Sequence, residues 1–369
     1  MSILYDEGQQ AIASESHRVA QARSDKARQL ALLEQTGAYD EAFWTTAIEQ
    51  GWTGLAIPEE HGGLGLSLVE LGIVAQATGG SLAGAPFLTV NDGFAAALLA
   101  GANDAIKAEW LPRLAGGEAI AAVAFAEASA PLSPRPVARL TAGGLSGEKP
   151  GVTAGAHADV ALVWALDAGE PTLVVAELGE AERTVICGFD NSRGYADLRF
   201  AGIPAEVVAR GREAADLARQ VLARMAVTTA HEQVGGAEAL LHVARDYAVT
   251  RKAFGQPIGA FQSIKHRIAE LYGLIEIARA NAIHAASREG QADFVKAAAA
   301  ARLSATEAYD TAARDTIQIH GGIGVTWETG LHLHMRRARS LAVEHGNTLF
   351  WEDLLAEELS GQPFVGGAA

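Results

Sequence analysis

The hydrophobic period of this 369-residue chain changes twice, and that double change limits the folds open to it. From Glu7 to about Gly117, Ala, Leu, Gln and Glu recur in amphipathic windows with the period of a helix. Glycine and proline interrupt the pattern at Ile57-Pro58-Glu59-Glu60-His61-Gly62-Gly63-Leu64-Gly65 and again around Gly79–Pro86. From about Ala121 to Gly202 the texture turns to short β-rich runs: Ala121–Ala126, Val137–Thr141, Val160–Ala165, Thr172–Leu178, Thr184–Cys187 and Ala196–Phe200. Beyond Glu213 helical spacing returns, with Leu217, Val221 and Met225 four apart, then Ile264, Ile268, Leu271 and Ile275, then an alanine-rich helix over Asp293–Ile317. The pattern predicts an α+β chain: an α-helical domain over 1–119, a small antiparallel β-barrel or sandwich over 120–207, and an antiparallel four-helix bundle over 208–369.

Composition closes off several classes. A formal charge of −15 excludes a concentrated basic surface for nucleic acid. No apolar run reaches the ~18 residues of a membrane-spanning helix. Cys187 is the lone cysteine, so no internal disulfide forms, and the acidic, polar opening Met1–Glu7 is unlike a secretory signal. The expectation is a cytoplasmic protein.

Familiar catalytic signatures are missing. No G-x-G-x-x-G follows a strand, and neither a phosphate-loop G-x-x-x-x-G-K nor a G-x-S-x-G elbow occurs. His320, His332, His334 and His345 lie close in sequence, but His332 and His334 sit two apart and face different sides of a helix, so no metal is expected. Trp327-Glu328 reads as packing with a capping carboxylate.

What stands out is Arg251-Lys252-Ala253-Phe254-Gly255 through Gln262, and Gln318-Ile319-His320-Gly321-Gly322-Ile323-Gly324. An arginine, two glutamines and a glycine pair fall where helices break, a combination suited to an anionic ligand such as the ADP half of a flavin. With these two motifs go Trp44 and Gln50–Gly65 at the front, and Leu145–Lys149, Val152-Thr153 and Ala158-Asp159 in the middle. Over all three regions the chain resembles the acyl-CoA dehydrogenases.

That resemblance implies a helical domain, a β domain and a four-helix bundle, FAD as cofactor, and oxidation of the Cα–Cβ bond of a CoA thioester. It implies that Arg251 meets the FAD pyrophosphate, that Phe254 and Gln262 contact the same cofactor, and that Gln318, Gly321 and Gly322 hold its ADP portion, mainly on FAD of a neighbouring subunit. The catalytic base departs from the pattern. One family location aligns with His345-Gly346, with Glu344 one residue early; the other, ten residues before Gly235, holds Met225. The β segment Phe125-Ala126-Glu127-Ala128-Ser129-Ala130-Pro131 lacks the usual hydroxyl and glycine-serine-aspartate run, and Gly151 stands where a tryptophan flanks the flavin, although Thr153 is kept.

A chain that keeps the nucleotide end and lacks the chemical end resembles the subunit without the base in bacterial heterotetrameric enzymes of steroid and cholate side-chain breakdown. It would complete an α2β2 tetramer with a second acyl-CoA dehydrogenase chain, the acyl-CoA lying in the partner's site and an electron-transferring flavoprotein or similar acceptor taking the electrons. Two other readings stand beside it: a self-sufficient homotetramer with Glu344 or His345 as base, and a structural scaffold that contacts no cofactor.

Overall fold

The computed structural model describes residues 5–83, 87–128 and 130–360, so Met1–Leu4, Gly84–Pro86, Ser129 and Gly361–Ala369 of the segments above lie outside it. Six helices come first: α1 (Glu7–Arg23), α2 (Lys26–Leu33), α3 (Glu41–Glu49), α4 (Leu68–Gly80), α5 (Phe87–Gly101) and α6 (Asp104–Ala115). Their starts are written in short polar side chains. Asp6 forms a reciprocal capping box with Gln9, Asp40 accepts from the Phe43 amide at 3.0 Å, and Asn103 accepts from that of Ile106 at 3.0 Å. Between α3 and α4 the glycine-rich stretch folds back on itself, Leu64 N bonding Gly54 O and Leu66 N bonding Leu55 O. Gly63 is required there because a side chain would run into the carbonyls of Ile57 and Gly54.

Eight strands follow: β1 (Ala121–Ala124), β2 (Arg139–Thr141), β3 (Gly144–Val152), β4 (Val160–Asp167), β5 (Glu170–Glu177), β6 (Glu182–Val185), β7 (Ala196–Ile203) and β8 (Ala205–Arg210). They make one sheet in the order β6-β7-β3-β2-β4-β5-β8, with β1 also on β4. The expected purely antiparallel arrangement gives way to a mixed one, because β1 and β2 both run parallel to β4. β1 pairs with the first half of β4 (Ala121 with Val160) and β2 with its end (Arg139 with Leu166), so the two are one strand interrupted by the excursion 125–138. Tandem β1 and β2 follow from the continuous apolar run of β4, buried from Val160 to Ala165, which needs neighbours along both edges.

A buried ion pair closes that excursion. Lys149 on β3 is fully buried, and its Nζ donates to Glu127 Oε1 at 2.7 Å and to Phe125 O at 3.4 Å. The same carboxylate accepts from the Val137 amide at 2.5 Å and the Ala138 amide at 3.0 Å, while Trp164 Nε1 holds Ser133 O at 2.8 Å.

The chain then becomes helical to its described end: α7 (Gly211–Thr250), a hairpin of β9 (Lys252–Ala253) and β10 (Gln256–Pro257), α8 (Gln262–Ser287), α9 (Phe294–His320), α10 (Leu331–Leu341) and α11 (Thr348–Ser360). Alanines carry the α8–α9 packing, among them Ala278, Ala282, Ala285, Ala298, Ala301, Ala305, Ala308 and Ala312, all buried. Two compact units result: residues 31–71 with 84–225, holding the sheet and α5, α6, and residues 1–30, 72–83 and 226–369, holding the bundle. Among the described residues no helix is long and apolar enough to cross a membrane.

Bundle charges are buried with their partners. Arg337 donates to Glu232 Oε1 at 2.8 Å and to Ala83 O at 3.1 Å. Arg302 donates to Gln233 Oε1 at 2.6 Å, Thr306 Oγ1 at 2.8 Å, Glu344 O at 3.0 Å, and Leu341 O. Two histidines are buried neutral: burial pushes His231 down to about 4, and burial, with Arg337 nearby, pushes His334 to about 3.

Two outcomes follow. Lys149→Met strands the Glu127 carboxylate in the sheet interior and costs about 3–5 kcal/mol of stability in urea unfolding; a loss below ~1 kcal/mol would mean water reaches the pair. Unfolded histidines take up protons near pH 6.5 whereas these two resist, so stability is complete above pH 6.5 and falls as pH drops from 6.5 toward 4, by on the order of 3 kcal/mol per histidine. His231→Gln flattens that acid limb in pH-dependent unfolding; a limb of unchanged slope contradicts the assignment.

Candidate functional site

The fold brings the two helix-breaking motifs to one end of the bundle. α7 rises to Thr250, the hairpin turns the chain, and α8 starts back at Gln262. α9 returns antiparallel to α8 and ends at His320, beside the hairpin. The ring of Tyr247, in the last turn of α7, stacks on His320 with centroids 4.0 Å apart and planes at 20°. Arg251, Phe254, Gln262, Gln318, Gly321 and Gly322 therefore share one surface of one unit.

Each has a local reason for its position. The Arg251 backbone is pinned, its amide to Tyr247 O at 2.8 Å and its carbonyl to the Ile258 amide at 2.8 Å, while its guanidinium is exposed and makes no ion pair or hydrogen bond within the described chain. Gln262 and Gln318 are likewise exposed, with no side-chain partner. α8 begins at Gln262 with no side-chain cap on its first amides, which leaves the positive end of a 26-residue helix open. Gly321 has φ 62° and ψ −141°, a backbone region that side-chain-bearing residues rarely adopt. Neither Gly321 nor Gly322 has any atom within 4 Å of where a Cβ would stand, so the space over this turn is open. Gly324 differs: a side chain there would strike Ile317 O.

Glu344 and His345 are placed elsewhere. They lie in the turn after α10, held through Glu344 O by Arg302, which is eighteen residues before His320 on α9 and so about 27 Å along its axis. Side-chain exposures are 2% for Glu344 and 7% for His345, and the His345 Nε2 lies 3.9 Å from Glu344 Oε2. His345 has φ 55°, the strained left-handed region. Met225, the second family position for a base, is 1% exposed and lies against Gly93, where any side chain would collide with its Cγ and Sδ. Its neighbour Arg224 is committed to Asp92 through bonds of 2.6 and 2.9 Å. Gly151 is exposed over open space, its amide on Asp197 Oδ1 at 2.8 Å, and Thr153 is buried.

Sequence reasoning missed two participants. Neither Tyr247 nor His320 was given a role from the sequence; an aromatic one turn before Arg251 was the available signal. His334 bonds Tyr309 Oη at 2.9 Å through Nδ1, and His332 stacks on Trp327 at 4.5 Å.

Comparison with known proteins agrees over most of the chain. Residues 6–118 match the acyl-CoA dehydrogenase N-terminal domain and residues 215–359 the acyl-CoA dehydrogenase C-terminal domain. The chain is 34% identical over 321 residues to acyl-CoA dehydrogenase IpdE2 of Mycobacterium tuberculosis, covering 85% of each. It is 30% identical over 315 residues to IpdE2 of Mycolicibacterium smegmatis, covering 85% of this chain and 86% of that one. Among solved structures, a chain of the ChsE4–ChsE5 complex from Mycobacterium tuberculosis superposes with a TM-score of 0.89 at 24% identity, over 98% of this chain and 100% of that one.

Phe254 is the costliest residue of the hairpin. It sits at φ 53° before Gly255 at φ 83°, both in the left-handed region that a two-residue turn with Ala253 opposite Gln256 demands. Its ring is 96% exposed and touches Phe261 only edge-on at 6.2 Å. Strain and exposure together are not repaid inside the chain. Phe254→Gly accordingly leaves the melting temperature unchanged or raises it by about 2 °C; a fall of ~4 °C or more in calorimetry would mean the ring stabilises this chain by itself.

Proposed function

The chain belongs to the acyl-CoA dehydrogenase family, and we propose that it is the nucleotide-holding subunit of a composite FAD site, desaturating a CoA thioester together with an unlike chain of the same family. FAD is the cofactor of this family, and the residues present fit its ADP half. Arg251 offers a guanidinium fork with no internal partner to the diphosphate, and the uncapped start of α8 adds a favourable field for the same charge. Gln262 and Gln318 supply exposed amides, Phe254 a flat apolar face, and Gly321-Gly322 an open turn that backbone-close approach requires. When bound, FAD accepts the hydride leaving Cβ as the α-proton is removed.

One asymmetry carries the assignment. Nucleotide-end groups stand exposed without partners, whereas the positions for a base are closed: Met225 fills its place against Gly93, and Glu344 and His345 are buried beside the Arg302 anchor. A general base must come within hydrogen-bond reach of its proton, and a packed thioether has none to accept. The base and the thioester pocket are therefore assigned to the partner, in an α2β2 assembly, with an electron-transferring flavoprotein or equivalent as acceptor. The ChsE4–ChsE5 structure, a complex of two named proteins, supports that type of assembly. A steroid-derived acyl group is the substrate class the motif pattern favours.

Purification with and without the partner tests this. Expressed alone, the chain is expected colourless; co-purified with an unlike family chain that carries the glutamate, it is yellow and bleaches with acyl-CoA. Arg251→Ala then lowers FAD retention about tenfold or more. Yellow protein that bleaches with acyl-CoA in the absence of any partner contradicts the proposal.

A further inference from the structure

We infer that the Tyr247–His320 stack is a clamp that sets the separation between the Arg251 hairpin and the Gly321-Gly322 turn, and thereby positions both halves of the nucleotide site. This rests on the cofactor assignment above and names residues that assignment does not use. The two halves are far apart in sequence and belong to different helices. Among the described residues no other side-chain hydrogen bond, ion pair or ring contact joins residues 251–262 to residues 318–325.

Both rings are tied to the groups they would position. Tyr247 is one helical turn before Arg251, and its carbonyl accepts the Arg251 amide at 2.8 Å, so displacement of Tyr247 carries the hairpin with it. His320 directly precedes Gly321. Its Nδ1 lies 2.7 Å from Thr316 O, and because a carbonyl only accepts, Nδ1 carries the proton; that bond holds the ring in plane. Tyr247 Oη donates to His320 O at 3.5 Å, the carbonyl at the junction of α9 and the short 3-10 turn Gly321–Val325. The rings then close face to face at 4.0 Å and 20°. The clamp thus acts at three points: ring on ring, hydroxyl on helix end, and imidazole on its own helix. On this inference Tyr247 and His320 are positioning residues that act through Arg251 and the Gly321-Gly322 turn.

Hydrogen exchange resolved by segment tests the inference, using the chain co-purified with its partner and freed of FAD, with and without millimolar ADP as the probe. Without ADP, Tyr247→Leu is expected to speed exchange roughly 3- to 10-fold in both 252–256 and 321–325, the range an aromatic pair accounts for, with α8 and the middle of α9 unchanged. Tyr247→Phe, which keeps the stack, returns both segments to near the wild-type rate. Acceleration confined to one segment, or spread through α8 and α9, overturns the clamp. In wild type ADP is expected to slow both segments together, and in Tyr247→Leu to slow neither at the same concentration. ADP protection that persists unchanged in Tyr247→Leu overturns the clamp and leaves the nucleotide assignment standing. Absence of protection in wild type overturns the nucleotide assignment itself, whatever the leucine variant does.

Discussion

A cation removed from water must find acceptors, and the chain satisfies that demand for three buried ones. Lys149 has Glu127 and a carbonyl, Arg337 has Glu232 and a carbonyl, and Arg302 has Gln233, Thr306 and the carbonyls of the 341–346 turn. None of these side chains is interchangeable with an apolar one at fixed partners, since each leaves a stranded acceptor or charge behind. Their placement organises the molecule. Lys149 shapes the excursion of the split strand, Arg337 secures the segment before residue 84 to α10, and Arg302 fixes the turn that holds Glu344 and His345.

The same accounting separates structure from function at the surface. At Lys149, Arg337 and Arg302 the acceptors come from the chain itself. Among the described residues Arg251, Gln262 and Gln318 have no side-chain partner, and they lie with the open glycines at the end of a bundle whose helix starts uncapped. Phe254 adds an exposed aromatic on strained backbone. These are costs a chain bears for something outside itself. On the chemical side the trend is opposite, with Met225 packed against Gly93 and Gly151 presenting no ring. On the proposal made above, such a surface is the nucleotide-holding half of a site shared with a second chain.

Much of this was legible in the residues. The order helix, sheet, bundle followed from the two changes of period, and the candidate ligand-end residues were singled out because glycine, proline and arginine at helix breaks have few structural uses. β3 was not marked as a strand from its own pattern, since Gly144, Gly147, Pro150 and Gly151 carry no β signal and its extended form comes from pairing with β7 and β2. β8 was passed over because it follows Pro204 and leads directly into α7. The split of β1 from β2 depends on β4, whose register partners lie 39 and 27 residues further on (Ala121 with Val160, Arg139 with Leu166). No local pattern marks Lys149 or Arg302 as buried. The Tyr247–His320 contact spans 73 residues, a distance no local pattern encodes. The departure from the family's base positions at Glu344, His345 and Met225 was visible in the sequence; that these side chains are buried was not.

Flavin stoichiometry in the intact assembly bears most directly on the division of labour between unlike chains. Native mass spectrometry of the complex isolated with its partner should count one FAD for each pair of unlike chains, two in a tetramer. One FAD for every copy of this chain, in an assembly built from this chain alone, would contradict it.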